Sequence, residues 1–218
     1  MRNILNILKH HSTVDDRLII DPKELKEVVD FLRQQGQKIV LTGGSWDLLH
    51  IGHVKYLRKA KEMGDVLIVA VDSDELVKYR AKGPNRPIVS QEERIYVVGE
   101  LRVADIITVY DVVGETSPEA MVRLLRPDIL VMSPTTDKIG EFAEKWKGIY
   151  KDVCEVVVLE AQATTSTSAR VAKLAKDGGR ELADKLSEVI KDYIGSEEDI
   201  DTQPPSNGQH RTTEVKNG

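Results

Sequence analysis

The chain has 218 residues, 40% of them hydrophobic and 31% charged, with a formal net charge of -5 and one cysteine. That is enough for one sizeable globular core; the acidic balance argues against nucleic acid as the main partner, and a lone Cys154 cannot form an intrachain disulfide and fits a reducing, cytoplasmic setting. No run of about eighteen apolar residues exists, which excludes an ordinary membrane-spanning helix.

Met1 to Leu8 is apolar but short, and Lys9-His10-His11 follow without a small-residue cleavage site. The segment therefore reads as a docking helix or arm and not as a signal peptide. Asp21-Pro22-Lys23-Glu24 predicts a helix start, with aspartate at the N-cap and proline in the first turn, and the helix should run to Gln35 before Gly36 stops it. Leu25, Val28, Val29 and Leu32 form its apolar stripe. From Lys38 onward, strands over 38–43, 65–72, 105–110, 127–132 and 153–159 alternate with helices. Each is rich in Val, Ile and Leu with little polar alternation, as strands covered on both faces should be. The alternation predicts an α/β fold, an open doubly wound parallel sheet with right-handed crossovers. Cys154 lies in the last apolar run and reads as a buried structural thiol. Two carboxy-terminal helices follow, Ser166 to Lys176 and Gly179 or Arg180 to Ile194. Ser196 to Gly218 holds Pro204-Pro205, Asn207-Gly208 and several acids with almost no aliphatics, and reads as a disordered tail. There is no internal repeat. The expected organisation is an arm and helix over 1–36, the main α/β domain over 37–176, a helix packed on it over 177–195, and the tail over 196–218.

Ligands of open parallel sheets bind beyond the carboxyl ends of the strands, where the crossover direction reverses. Four segments should converge there. The first is Thr42-Gly43-Gly44-Ser45-Trp46-Asp47-Leu48-Leu49, leading into His50-Ile51-Gly52-His53 at a helix entrance. Two imidazoles there can donate hydrogen bonds to phosphate oxygens, while the helix adds unpaired N–H groups and the positive end of its dipole. Gly52 lets the backbone come close. Two neighbouring histidines are by themselves commonly incidental, and it is the strand, glycine turn, helix, strand order around them that makes a phosphate site. Trp46 reads as an apolar anchor beneath the turn; Asp47 is either a simple cap or a nucleotide contact. The second segment is Lys78-Tyr79-Arg80-Ala81-Lys82-Gly83-Pro84-Asn85-Arg86-Pro87. A charge run is usually a solvated face, but its glycine and prolines argue for a shaped loop that covers polyphosphate. The third, Gln91-Glu92-Glu93-Arg94, opens a helix running to about Val103, and the fourth, Thr164-Thr165-Ser166-Thr167-Ser168, is a hydroxyl-rich helix start.

Together these segments resemble the cytidylyltransferase-like family of nucleotidyltransferases. Its members read G-x-F-D-x-x-H-x-G-H where this chain has Gly44 to His53, with Trp46 in place of the usual phenylalanine. The resemblance extends from about Asp21 to Lys176. It implies a Rossmann-like nucleotidyltransferase domain in which Arg94 faces the nucleotide phosphates and the Thr165 to Ser168 box binds the triphosphate. Within the family, Lys82 to Pro87, the helix before the first strand and Leu125 to Val131 look most like the adenylyltransferase domain of bacterial ADP-heptose synthesis. Glycerol-3-phosphate cytidylyltransferases are the next relatives, but they carry an arginine after the last strand where this chain has Glu160-Ala161-Gln162-Ala163. After the strand's Val131, heptose enzymes read K-G-G-D where this chain has Met132 to Asp137, so the acceptor pocket is expected to differ.

The implied activity is transfer of a nucleoside monophosphate, from ATP, to a phosphorylated acceptor such as heptose 1-phosphate, with release of pyrophosphate. His50, His53 and Lys82 are the expected catalytic residues. Thr42, Gly43, Gly44, Ser45, Asp47, Gly52, Arg86, Arg94, Thr165, Ser166, Thr167 and Ser168 are the expected nucleotide-binding set. Magnesium should be held by phosphate oxygens and water, with no protein ligand assigned. The expected partners are a nucleoside triphosphate and a small phosphorylated acceptor, with a homodimer implied by the family and no role for nucleic acid or membrane. The alternatives are a cytidylyltransferase for glycerol 3-phosphate or an amino-alcohol phosphate, and a non-catalytic nucleotide-binding regulator on the same fold. The H-x-G-H signature also occurs in class I aminoacyl-tRNA synthetases, but there is no lysine-rich K-M-S-K-S-like segment or room for a tRNA-binding domain.

Overall fold

The structure is a computed structural model that describes residues 12–80, 86–133, 139–160, 162 and 167–195. The expected amino-terminal arm, Lys82, Thr165, Ser166 and the tail over 196–218 lie outside the described residues. By its contacts the chain divides into two units, one ending at Arg170 and the other beginning at Val171.

The first unit opens with a short helix α1 (Val14–Arg17) and α2 (Pro22–Gln34). Helix α2 begins as its sequence dictates: the Asp21 carboxylate accepts the Lys23 N–H at 2.7 Å, proline follows it, and Gly36 leaves with φ 75°. Strand β1 (Ile39–Gly44), α3 (Ile51–Lys61), β2 (Val66–Asp72), α4 (Asp74–Tyr79), α5 (Gln91–Gly99) and β3 (Ile106–Tyr110) then alternate, followed by α6 (Pro118–Leu125), β4 (Ile129–Met132), α7 (Ile139–Tyr150) and β5 (Glu155–Val158). All five strands fall where apolar runs predicted them. They form one parallel sheet of order β3-β2-β1-β4-β5. The crossover direction reverses between β1 and β4, which puts the ligand crevice at their carboxyl ends.

Both faces of the sheet are covered. Ile39, Leu41, Ile68, Ala70 and Tyr110 pack with the apolar stripes of α2 and α6 and with Tyr150 of α7. Val40, Leu67, Val69, Val71 and Val109 pack with α1, α3 and α5. This is why β2, the strand beside β1, is buried along its whole length. At the opposite end from the crevice, carboxylates set the first rungs of the ladder. Asp65 accepts the Lys38 N–H at 2.8 Å, Asp105 the Leu67 N–H at 2.7 Å and Asp128 the Ile39 N–H at 2.7 Å.

The outer edge of β3 is blunted by the segment after α1, since Ile19 donates to the Ile107 carbonyl at 2.9 Å. Arg17 pins this segment by donating to the Gly99 and Ala104 carbonyls, both at 2.6 Å. Replacing Arg17 with alanine is expected to destabilise the protein by roughly 2 kcal/mol in urea unfolding, because two buried carbonyls lose a charged donor. An unchanged midpoint would show that the edge is held by other means.

The carboxy-terminal region differs from its expectation. A single helix α8 (Thr167–Gly195) stands where two were predicted. Gly178 and Gly179 fall at the expected gap, and each glycine costs about 1 kcal/mol in a helix relative to alanine. Flanking helix formers and pairs such as Lys185 with Glu181 at 2.9 Å carry the helix through.

Candidate active site

The β1–α3 turn is held in an unusual backbone. Trp46 and Leu48 have φ of 51° and 49°, left-handed values that cost a side-chain-bearing residue roughly 1–2 kcal/mol each. Trp46 is buried as an anchor, donating its indole N–H to the Ala70 carbonyl at 2.9 Å and presenting its ring at 77° to His53, 5.6 Å between centroids.

The two histidines close the helix start on each other. His50 is the N-cap of α3; its Nδ1 accepts the Gly52 N–H at 3.0 Å, and its own N–H donates to His53 Nδ1 at 3.3 Å. The rings stack with centroids 3.9 Å apart. An Nδ1 that accepts carries no proton, so each imidazole is the Nε2–H tautomer and its donor faces away from the cap. Helices α2, α4, α5, α6 and α7 each place an acid in the first turn, whereas α3 places none. The positive end of the α3 dipole is thus not offset by an acid of its own first turn.

Several residues expected to meet the nucleotide have internal work. The Thr42 hydroxyl is buried, donating to the Val131 carbonyl at 2.9 Å and lying 2.8 Å from the Tyr56 hydroxyl. What Thr42 can offer a ligand is therefore backbone. Gly43 is small for a reason 67 positions away in sequence: a Cβ there would lie 2.3 Å from the Tyr110 ring. A Cβ on Gly44 would meet the Trp46 ring at 3.2 Å. The Tyr110 hydroxyl and the Thr108 hydroxyl are buried with no hydrogen-bond partner among the described residues. Burial pushes the Tyr110 phenol far up, so it stays neutral.

Asp47 does not cap α3. It is 2% exposed, and its carboxylate receives Arg86 at 2.6 Å, the Ile88 N–H at 3.1 Å and the Val89 N–H at 3.0 Å. Burial alone would raise this carboxyl; the N–H groups of Ile88 and Val89 and the Arg86 guanidinium outweigh it and hold it below the usual carboxylate range. The folded value lies below the unfolded one, so the stability it contributes is present above the ordinary carboxylate pKa and is lost as pH falls through the depressed value.

Arg94, expected to face phosphates, is 1% exposed and fully engaged within the protein. It donates to the Val89 carbonyl at 3.0 Å, to Ser45 and Asp72 carbonyls at 2.5 and 2.8 Å, and to Asp74 at 2.6 Å. Arg80, part-exposed, pairs with the buried Asp72 at 2.5 Å. The site therefore brings together His50, His53, Gly52, Ser45, Asp47, Arg86 and Arg94. Thr167 and Ser168 lie in the first turn of α8.

Among the described residues no group of three or more His, Cys, Asp and Glu could hold a metal ion, and no helix is long and apolar enough to cross a membrane. A cleft of about 510 Å³ opens along β5, lined by Lys147, Lys151, Cys154 and Glu155 among others, and by none of the expected site residues. Cys154 is half-buried rather than enclosed, and burial raises its thiol, which opposes a nucleophilic thiolate.

Comparison with known proteins bears on the same turn. The family model for cytidylyltransferase-like proteins matches residues 41–194. The chain is 34% identical over 175 residues to the bifunctional protein HldE of Syntrophotalea carbinolica, covering 78% of this chain and 34% of that protein. It is 38% identical over 159 residues to HldE of Nitratiruptor, covering 72% and 32%, and 43% identical over 131 residues to HldE of Blochmanniella pennsylvanica, covering 60% and 26%. It thus spans about a third or less of the length of these relatives. The matched span contains both histidines, the Asp47 and Arg94 contacts and the carboxyl half of β1 with every later strand, and the chain belongs to the cytidylyltransferase-like family of nucleotidyltransferases.

Proposed function

We propose that this nucleotidyltransferase moves AMP from ATP to a sugar 1-phosphate, of the heptose 1-phosphate class, and releases pyrophosphate. The observation that carries nucleotidyl transfer is the reciprocal histidine cap: two Nε2–H donors, fixed in tautomer and stacked at 3.9 Å, stand at a helix start without a first-turn acid. The adenylyl and heptose parts rest on the resemblance of Lys82 to Pro87 and Leu125 to Val131, and on 34–43% identity to proteins named HldE.

The acceptor's phosphate oxygen attacks the α-phosphorus of the triphosphate, the bond to the bridging oxygen breaks, and pyrophosphate departs with the electron pair. No side chain has to supply a nucleophile. His50 and His53 donate to the α- and β-phosphates, and these hydrogen bonds strengthen as charge builds in the transition state. Arg86 and Lys82 add cationic charge for the remaining phosphates, and the α3 dipole favours the anion throughout. Magnesium, when bound, neutralises phosphate charge. Carboxylates Asp47, Asp72 and Asp74 are each paired with an arginine, a donor set that suits an ion carried by the nucleotide and water and not by a protein cage.

The test is a matrix of triphosphates against sugar, polyol and amino-alcohol phosphates, scored by pyrophosphate release. ATP with a sugar 1-phosphate is expected to give the highest kcat/KM. Turnover of CTP with glycerol 3-phosphate or an amino-alcohol phosphate would overturn the adenylyl assignment, and nucleotide binding without turnover on any pair would favour a regulatory protein.

A further inference from the structure

Asp47 and Arg94 grip the same short segment from opposite sides. Asp47 takes the Val89 N–H at 3.0 Å, and Arg94 takes the Val89 carbonyl at 3.0 Å. Arg94 then reaches back to the Ser45 carbonyl at 2.5 Å. Ser45, Trp46 and Asp47 are consecutive, so these hydrogen bonds close a ring around Trp46. That ring encloses a residue with left-handed backbone, whose indole lies T-shaped against the His53 ring with 5.6 Å between centroids.

We infer that Asp47 and Arg94 are positioning residues: through the ring they fix the Trp46 turn, and that turn places both the indole against the His53 ring and the His50 N–H that sets the His53 tautomer. Both are almost wholly buried. Arg86 is a second beneficiary. Its guanidinium is anchored by Asp47 at 2.6 Å, so the same carboxylate sets the direction from which that cation approaches the crevice. An alternative role, in which the Asp47 charge acts directly on a metal ion or repels phosphate, makes a different set of predictions.

Asp47→Ala and Asp47→Asn separate the two. Asparagine keeps an oxygen for the Val89 N–H and so keeps the ring, while discarding the charge and turning an amide N–H toward Arg86 in place of the oxygen that anchors it. If position is what counts, Asp47→Ala loses kcat on the order of a hundredfold, the scale for a misplaced catalytic group. Asp47→Asn, which keeps the ring and loses only the Arg86 anchor, then loses clearly less kcat than Asp47→Ala, and the magnesium concentration giving half-maximal rate is unchanged in both. Asparagine as damaging as alanine, or a shifted magnesium dependence, would overturn the inference. These kinetic measurements rest on the nucleotidyl-transfer reading; a second readout does not. Long-range ¹⁵N–¹H correlation of the imidazoles reports tautomers without substrate, and should show His53 as Nε2–H in the parent and in Asp47→Asn but as a mixture in Asp47→Ala. An unaltered His53 pattern in a folded Asp47→Ala protein also refutes the clasp. Should that variant fail to fold, Arg94→Lys serves in its place: lysine retains the charge beside Asp74 but cannot span Ser45 and Val89, so the same loss of kcat and of tautomer is expected, and parent-like values would count against it.

Discussion

Alanine at His50 or His53 is expected to lower turnover by about a hundred- to a thousandfold, the range for removing one preorganised donor to a developing oxyanion. The structure adds a second effect. Because each imidazole also accepts a backbone N–H at the start of α3, either alanine removes a cap and lowers stability by about 1 kcal/mol. Asparagine at position 50 separates the two effects. It is a strong N-cap, so thermal stability should return to near the parent value, yet its short amide does not reach where Nε2–H stands, so turnover should stay low. Pyrophosphate release and thermal unfolding on the same preparations read both quantities. A folded double alanine variant that turns over normally would remove the histidines from the mechanism.

Gly43→Ala should be the most damaging small substitution in the sheet. The added Cβ would sit 2.3 Å from a ring carbon of Tyr110, and that residue is buried in the core between the sheet and its helices. Overpacking of this kind costs about 1–3 kcal/mol, and an aromatic ring that cannot rotate away puts the site at the upper end of that range. Activity should fall as well, since β1 leads directly into the Trp46 turn. Tyr110→Leu removes the obstructing ring edge. The double variant should therefore be less destabilised than the sum of the two singles, with a coupling of at least about 1 kcal/mol in urea unfolding. Simple additivity would mean that the ring and the glycine do not oppose each other.

Much of the architecture is written locally. The Asp21-Pro22 start, the Leu25, Val28, Val29 and Leu32 stripe and the β-branched runs each act over a few residues, and each appears in the structure where the sequence places it. The histidines at the entrance of α3 were legible for the same reason. Contacts that join distant segments were not. Nothing near Asp47 in sequence announces Val89 or Arg86, so a buried clasp read as a cap or a ligand contact. Gly43 stands in the expected nucleotide-binding set, whereas the neighbour that requires its smallness is Tyr110 on β3. Arg94 carries the type of charge that binds phosphate, and only its burial among carbonyls and Asp74 shows where that charge is used. The aspartates at the amino ends of the strands act on neighbouring strands, and periodicity is blind to such pairings.

The left-handed backbone at Trp46 and Leu48 bears on how such a site could be transplanted. A histidine pair lifted out with its glycine turn and set on a foreign strand–helix junction would arrive without Val89, Arg94 and the Ala70 carbonyl. Unsupported, two residues each disfavoured by roughly 1–2 kcal/mol would relax to ordinary backbone and carry His53 with them. The portable unit is the stretch from β1 through α5, and a graft of the motif alone would reproduce its letters without its geometry.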